Sequence, residues 1–327
     1  MKILILFTGG TIGSAVEPAG AGATISLAKD GKYKLLAAYR AQTHDDAEFD
    51  TAEPMRILSE QMTLANEAAL IAAVKDALPR YDGIVVTHGT DTLAYTAAAL
   101  SYACGLCKTP VVLVSSGYVI GDPRANGVDN LAAALALIRS GRGRGVYVSY
   151  RNTGAPCTLY RASRLLMHQA FSDTVFPLGG APFLFAADEI VPVPGYTEQP
   201  DGRAALCAPR LAEMQGRVLQ IFPTPALVYP DVPKEVGAIL HHTYHSGTLR
   251  TDAAFAAFTA DMRARGIPVF VSGFPDGVPY ESTTAYTDAG VRLLPHLSPL
   301  AAFVKLTMLL ASDAPLSDVA IPLGGDL

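Results

Sequence analysis

The sequence predicts an α/β fold: a parallel sheet covered by helices, followed by a second, smaller α/β domain. Three observations carry this reading. Apolar runs of strand length alternate with stretches of helical period along the whole chain. The runs lack polar alternation, so both faces of each strand are expected to be buried. A stretch rich in proline and glycine interrupts the pattern between residues 188 and 216. At 327 residues one core normally stops growing, which also favours two domains.

In the first half the clearest strands are residues 2–7, 83–87, 111–115 and 146–150, with helices at 66–78, 93–103 and 131–138. This is a flavodoxin-like order of parallel strands and helices, and it assigns residues 1–187 to an N-terminal α/β domain. Pro192, Pro194, Gly195, Pro200, Gly202 and Pro209 mark residues 188–216 as a linker. Residues 217–327 form the second α/β domain, with strands at 218–222, 238–244 and 268–272 and helices at 253–265 and 299–311.

The bulk chemistry excludes several function classes. The chain is 50% hydrophobic with a net charge of −5. Acidic and basic residues are interspersed, so no basic stripe offers itself to nucleic acid. The opening apolar run, Ile3 to Phe7, is too short for a secretion signal or a membrane span, which points to a cytoplasmic protein without a membrane partner. Cys104 and Cys107 fall within a helical pattern and Cys157 and Cys207 lie far from them, so the cysteines read as small hydrophobes. No zinc pattern is present, and no metal or organic cofactor is expected.

In an open parallel sheet, ligands bind beyond the carboxyl ends of the strands, where the loops and helix N-termini converge. The first strand runs into Thr8-Gly9-Gly10-Thr11-Ile12-Gly13-Ser14, and the strand at 83–87 into His88-Gly89-Thr90-Asp91-Thr92. The next two end in Ser115-Ser116-Gly117 and Ser149-Tyr150-Arg151-Asn152. All four loops are expected on one edge. Several hydroxyls, one carboxylate and glycines that expose backbone N–H groups suit nucleophilic acyl transfer, with the N–H groups holding an oxyanion. A phosphate-binding turn competes at the first loop, but its spacing misses G-x-G-x-x-G and no Gly-Lys-Ser/Thr follows. At the second loop Thr90 or Asp91 reads equally as a helix N-cap.

At these two loops the chain resembles the bacterial-type L-asparaginase family, whose signatures T-G-G-T-I and H-G-T-D-T stand here as Thr8–Ile12 and His88–Thr92. Ser59-Glu60-Gln61-Met62, Asn126-Gly127 and the closing helical stretch 301–310 extend the likeness along the chain. The resemblance implies a small-amide hydrolase that converts L-asparagine to L-aspartate and ammonia. Thr11 would be the nucleophile, Thr90 the hydroxyl beside the scissile amide, and Asp91 the partner of the substrate's α-amino group. Ser59 would contact the α-carboxylate and Glu60 would help hold the ammonium, with Gly10 and Gly89 lining the substrate.

Three positions depart from the family pattern. A family lysine that supports Thr90 is matched by Arg164, or by Ala162 without a gap; arginine orients and supplies charge but is not a base. The stretch after Thr11 brings Thr24 where the family places a tyrosine, and Gly20 and Gly22 let it act as a lid. In the second domain the loop expected to reach a neighbouring subunit reads Tyr244-His245-Ser246-Gly247-Thr248, which makes His245 and Ser246 candidates. The resemblance therefore implies a homodimer or homotetramer. Two further readings stay open: a glutaminase or other small-amide hydrolase, and a non-catalytic amino-acid sensor. The ammonia-releasing part of a tRNA amidotransferase is disfavoured, because the chain opens directly on its first strand.

Overall fold

The computed structural model describes residues 1–10, 12, 14–19, 22–27, 31–273 and 280–327, with the backbone alone at 14–19, 22–27, 31–33 and 282. The chain divides into two compact units, Met1–Ala205 with Pro322–Asp326, and Leu206–Ile321 with Leu327.

The first unit runs β1 (Ile3–Phe7), β2 (Ser14–Ala19), β3 (Gly22–Leu27), α1 (Gly31–Thr43), β4 (Asp50–Ala52), α2 (Leu64–Ala77), β5 (Gly83–Thr87), α3 (Leu93–Cys104), β6 (Val111–Val114) and α4 (Gly127–Ser140). It continues with β7 (Val146–Arg151), β8 (Cys157–Arg161), β9 (Phe183–Ala186) and β10 (Glu189–Pro192). Its eight-stranded sheet has the order β10-β9-β8-β7-β6-β5-β1-β4. Strands β4, β1, β5, β6 and β7 are parallel, and β1, β5 and β6 are buried on both faces as their unbroken apolar runs require. Strands β2 and β3 form a separate antiparallel pair.

The sheet departs from the expected parallel order at β8, β9 and β10, which are antiparallel to their neighbours. The cause is local. Only Asn152 to Pro156 joins β7 to β8, and so short a link turns a hairpin but cannot make a parallel crossover. The last strand of this run occupies Glu189–Pro192, inside the stretch expected as linker, and the two units divide at Ala205 and Leu206.

The helices start where side chains satisfy their first N–H groups. Thr63 caps α2, accepting from the Asn66 amide while the Asn66 side chain accepts from Thr63, so the helix begins before residue 66. Helix α3, rich in alanine and other small residues, is buried at every position except Tyr95 and reads as an internal helix.

The second unit is a four-stranded parallel sheet of β11 (Val218–Ile221), β12 (Ala238–His241), β13 (Val269–Ser272) and β14 (Arg292–Leu294), in that order. Its helices are α5 (Ala253–Ala264), α6 (Glu281–Asp288) and α7 (Pro299–Ala311). Asp252 caps α5 and Ser298 caps α7, with Pro299 in the first turn, where its missing N–H costs nothing. Phe255, Phe258, Met262, Ile239, Val271 and Tyr286 are among the residues that fill its core. Cys104 and Cys157 are buried as expected, whereas Cys207 is exposed; all four cysteines are free. No helix among the described residues is long and apolar enough to cross a membrane.

Candidate active site

Strand register creates the site. Phe7 lies opposite Thr87, so β1 and β5 end level and their bends leave the sheet side by side. Thr8 donates from its hydroxyl to the Thr87 carbonyl at 2.6 Å and from its N–H to the Thr87 hydroxyl at 3.4 Å. On the other flank Gly9 pairs in parallel with Ile57, and Gly10 N–H donates to the Ile57 carbonyl at 3.0 Å. This pairing carries the chain from Ile57 directly to Ser59.

The three segments close on one another through glycine. A Cβ on Gly10 would stand 2.4 Å from the Gly89 nitrogen, and one on Gly89 would stand 2.4 Å from the Ser59 hydroxyl oxygen. Only glycine permits this approach, and Gly10 also has φ +76. The Ser59 hydroxyl donates to the Asp91 carboxylate at 2.9 Å. The Asp91 N–H reaches the same hydroxyl oxygen at 3.2 Å, and the Thr92 hydroxyl donates to the Ser59 carbonyl at 2.9 Å. Glu60 is exposed beside Ser59 in the same single 3-10 turn.

These contacts decide the capping question. The N-cap of α3 is Thr92, without a side-chain cap bond, and the hydrogen bond of the Asp91 carboxylate goes to Ser59. The Thr90 hydroxyl has no hydrogen-bond partner among the described residues. Thr90 is half-buried and Asp91 exposed just before the head of this helix, where backbone N–H groups favour negative charge.

Other expectations need correction. The Ser116 hydroxyl donates to the Tyr118 carbonyl at 2.6 Å and that of Ser149 to the Asn130 carbonyl at 2.8 Å, so both are spent on internal bonds. Arg164, expected to support Thr90, makes no bond to it among the described residues. Its Nε donates to the Gly325 carbonyl at 2.7 Å and its guanidinium lies 5.3 Å from the Tyr196 ring centre. A buried cation takes the nearest carbonyl and aromatic face, and here residues 322–326 supply that carbonyl. The alternative, Ala162, is a buried methyl without polar chemistry. Thr11 lies outside the described residues, as do Gly13, Gly20 and the Thr24 side chain; the Thr24 backbone stands opposite Glu17 in the β2–β3 pair. In the second unit His245 is exposed and Ser246 bonds Thr248 at 2.9 Å, inside a turn closed by the Tyr244 N–H on the Thr248 carbonyl at 2.9 Å.

Sequence reasoning missed two histidines and an acid. His88 and Glu67 are buried beneath the second bend. Burial pushes the His88 imidazole down to about 4 and the Glu67 carboxyl up to about 7. His168 is lowered by burial too, with Asp91 and Asp173 acting against that shift, so it feels the charge of Asp91. The signal for Glu67 was present: it extends the apolar stripe of Leu70, Ile71 and Val74 on α2, where an acid is out of place.

A model of the family "Asparaginase, N-terminal" matches residues 2–188. The chain belongs to the asparaginase family. An L-asparaginase of Thermococcus kodakarensis is 39% identical over 150 residues, which are 46% of this chain and 44% of that protein. A glutamyl-tRNA(Gln) amidotransferase component of Pyrobaculum aerophilum is 33% identical over 185 residues, 55% of this chain and 43% of its own. The matched part therefore spans less than half of either relative. The solved structure of the thermostable L-asparaginase from Thermococcus kodakarensis superposes with a TM-score of 0.75 at 25% identity, covering 98% of this chain and 96% of that one. Asparaginase-family likeness thus extends over both α/β units as a fold, while the family match itself covers the segment that holds the bends.

Proposed function

We propose that the chain hydrolyses the side-chain amide of L-asparagine to L-aspartate and ammonia. The observation that supports this most is the meeting of the two strand-end bends, with the Ser59 hydroxyl on the Asp91 carboxylate at 2.9 Å. A carboxylate with a donor fixed beside it can hold an α-ammonium while the donor's neighbourhood takes the α-carboxylate. Thr11 attacks the amide carbon with its hydroxyl oxygen, backbone N–H groups of the glycine bends hold the oxyanion, and ammonia leaves with the proton taken from the nucleophile. Water then cleaves the threonyl ester and releases aspartate. Thr90 orients the amide, and Glu60 adds a second negative charge for the ammonium. Thr24 is the hydroxyl proposed to approach from the β2–β3 pair. The proposal includes a cytoplasmic setting and a homodimer or homotetramer in which the turn of His245 and Ser246 serves a partner's site.

Ammonia release by the purified protein from L-asparagine and L-glutamine tests the reading. Turnover of asparagine is expected. Faster turnover of glutamine would make the chain a glutaminase instead, and tight L-aspartate binding with no turnover of either amide would make it a sensor. Within the same assay, Ser59→Ala is expected to raise KM about ten- to a hundredfold, the weight of a hydrogen bond to a charged group, with kcat changed far less. A KM unchanged by the substitution would remove Ser59 from the binding role.

A further inference from the structure

The ring of His88 opens the second bend yet points into the protein. His88 is 0% exposed and Glu67 6%. His88 Nδ1 lies 2.8 Å from the Gly89 carbonyl oxygen. Its Nε2 lies 2.9 Å from the Thr96 hydroxyl, which in turn lies 2.5 Å from one carboxyl oxygen of Glu67. The other Glu67 oxygen is buried without a hydrogen-bond partner among the described residues.

Proton counting makes this chain directional. A carbonyl accepts only, so Nδ1 carries a proton, and in a neutral ring Nε2 is then an acceptor. Thr96 must donate to Nε2, and its single proton is thereby used. The remaining 2.5 Å contact needs a proton on Glu67. We propose that a protonated Glu67 is a positioning residue of this site: through Thr96 and His88 it holds the Gly89 peptide, and with it the bend that presents Thr90 and Asp91. The inference rests on the function proposed above for that bend.

Moving the proton to His88 would satisfy the same contacts but would bury two charges. Burial opposes that, raising Glu67 to about 7 and lowering His88 to about 4. Helix α3 and strand β5 bring no charged side chain to the network. On α2 the other charges are Lys75 and Asp76, near its far end. Asp91 acts on His88 and is outweighed by burial; Glu60, in the turn before α2, is exposed. When the proton leaves, the Thr96 hydroxyl faces two acceptors with one hydrogen. Either the Glu67 contact is lost, or the ring changes tautomer and sets a bare Nδ1 against the Gly89 carbonyl. Both loosen the bend.

The sign of the pH effect follows. A carboxyl raised above its unfolded value of about 4.3 contributes stability that is complete below that value and is lost as pH rises through the folded-state value near 7. Glu67→Gln tests this, because its amide N–H donates to Thr96 at every pH. Denaturant unfolding from pH 4 to 9 is expected to show the folding constant of Glu67→Gln gaining on wild type by about tenfold per pH unit between about 4.3 and 7, then levelling. In the same range, wild-type kcat on L-asparagine should fall above about pH 7 and that of Glu67→Gln should not. Thr96→Val, which cuts the chain but keeps the shape, should lower kcat below about pH 7, where the wild-type line is intact, and Thr96→Ser should restore it. A stability difference independent of pH, or the same alkaline fall in both proteins, would overturn the proposal. A wild type that hydrolyses no amide overturns the function proposed above, while the unfolding comparison still decides the network.

Discussion

Thr11→Ala protein is expected to release ammonia from L-asparagine at least about 10⁴-fold more slowly than wild type, the scale of losing a nucleophile whose partners act with it as a unit. Its affinity for L-aspartate should change by less than about tenfold, since the groups proposed to hold the product are Asp91, Ser59 and Glu60 rather than the attacking hydroxyl. Thr11→Ser, which keeps the oxygen, should recover a measurable part of the rate. Steady-state turnover and calorimetric binding on the same preparations check both halves. An alanine variant that still turns over within about tenfold of wild type would move the nucleophile elsewhere, and Thr90, unbonded among the described residues, would be the next oxygen to test.

The second large effect is expected at Gly10, where two costs of different kind can be separated. A Cβ there would meet the Gly89 nitrogen at 2.4 Å, the Gly89 Cα at 2.5 Å and the His88 carbonyl carbon at 2.9 Å. All three are backbone, so the bends must part. Left-handed φ adds roughly 1–2 kcal/mol for a residue with a side chain, and overpacking typically adds about 1–3 kcal/mol. Against a total stability of about 5–15 kcal/mol the fold survives. The site does not, because a displacement of about 1 Å between reacting groups costs on the order of 100-fold in rate. Gly10→Ala is therefore expected to melt several degrees lower and to lose about 100-fold in kcat/KM. Gly141→Ala is the control: φ is +67, with nothing within 4 Å of the added carbon, so it should show the conformational cost with turnover intact. Equal losses of activity in the two variants would remove the close approach of the bends as the cause.

How much of this could be read beforehand differs by element. Strands β1, β5 and β6 were legible because burial on both faces leaves an apolar run without alternation, and α5 and α7 because their apolar positions repeat with helical period. Strand β4 was not, being three exposed residues at the edge of the sheet, paired with β1. The run β8 to β10 was obscured by partly exposed and exposed side chains in β9 and β10 and by proline and glycine after it, which read as linker. Arg164 was read as the cation that supports Thr90, whereas the bond its Nε makes goes to the carbonyl of Gly325, a residue far along the chain.

From the sequence alone came the α/β class, the family, the two glycine-bearing bends and the residue types gathered on them. These are local properties, set by the period of apolar residues and by what a strand must be followed by in order to turn. Tertiary structure alone decided that Phe7 stands level with Thr87, that Ser59 meets Asp91, and that Glu67, Thr96 and His88 form one line beneath the bend. Those are matters of register and burial. A hydrogen bond's partner and a proton's resting place depend on which distant segments share a low-dielectric interior, and no spacing along the chain encodes that directly.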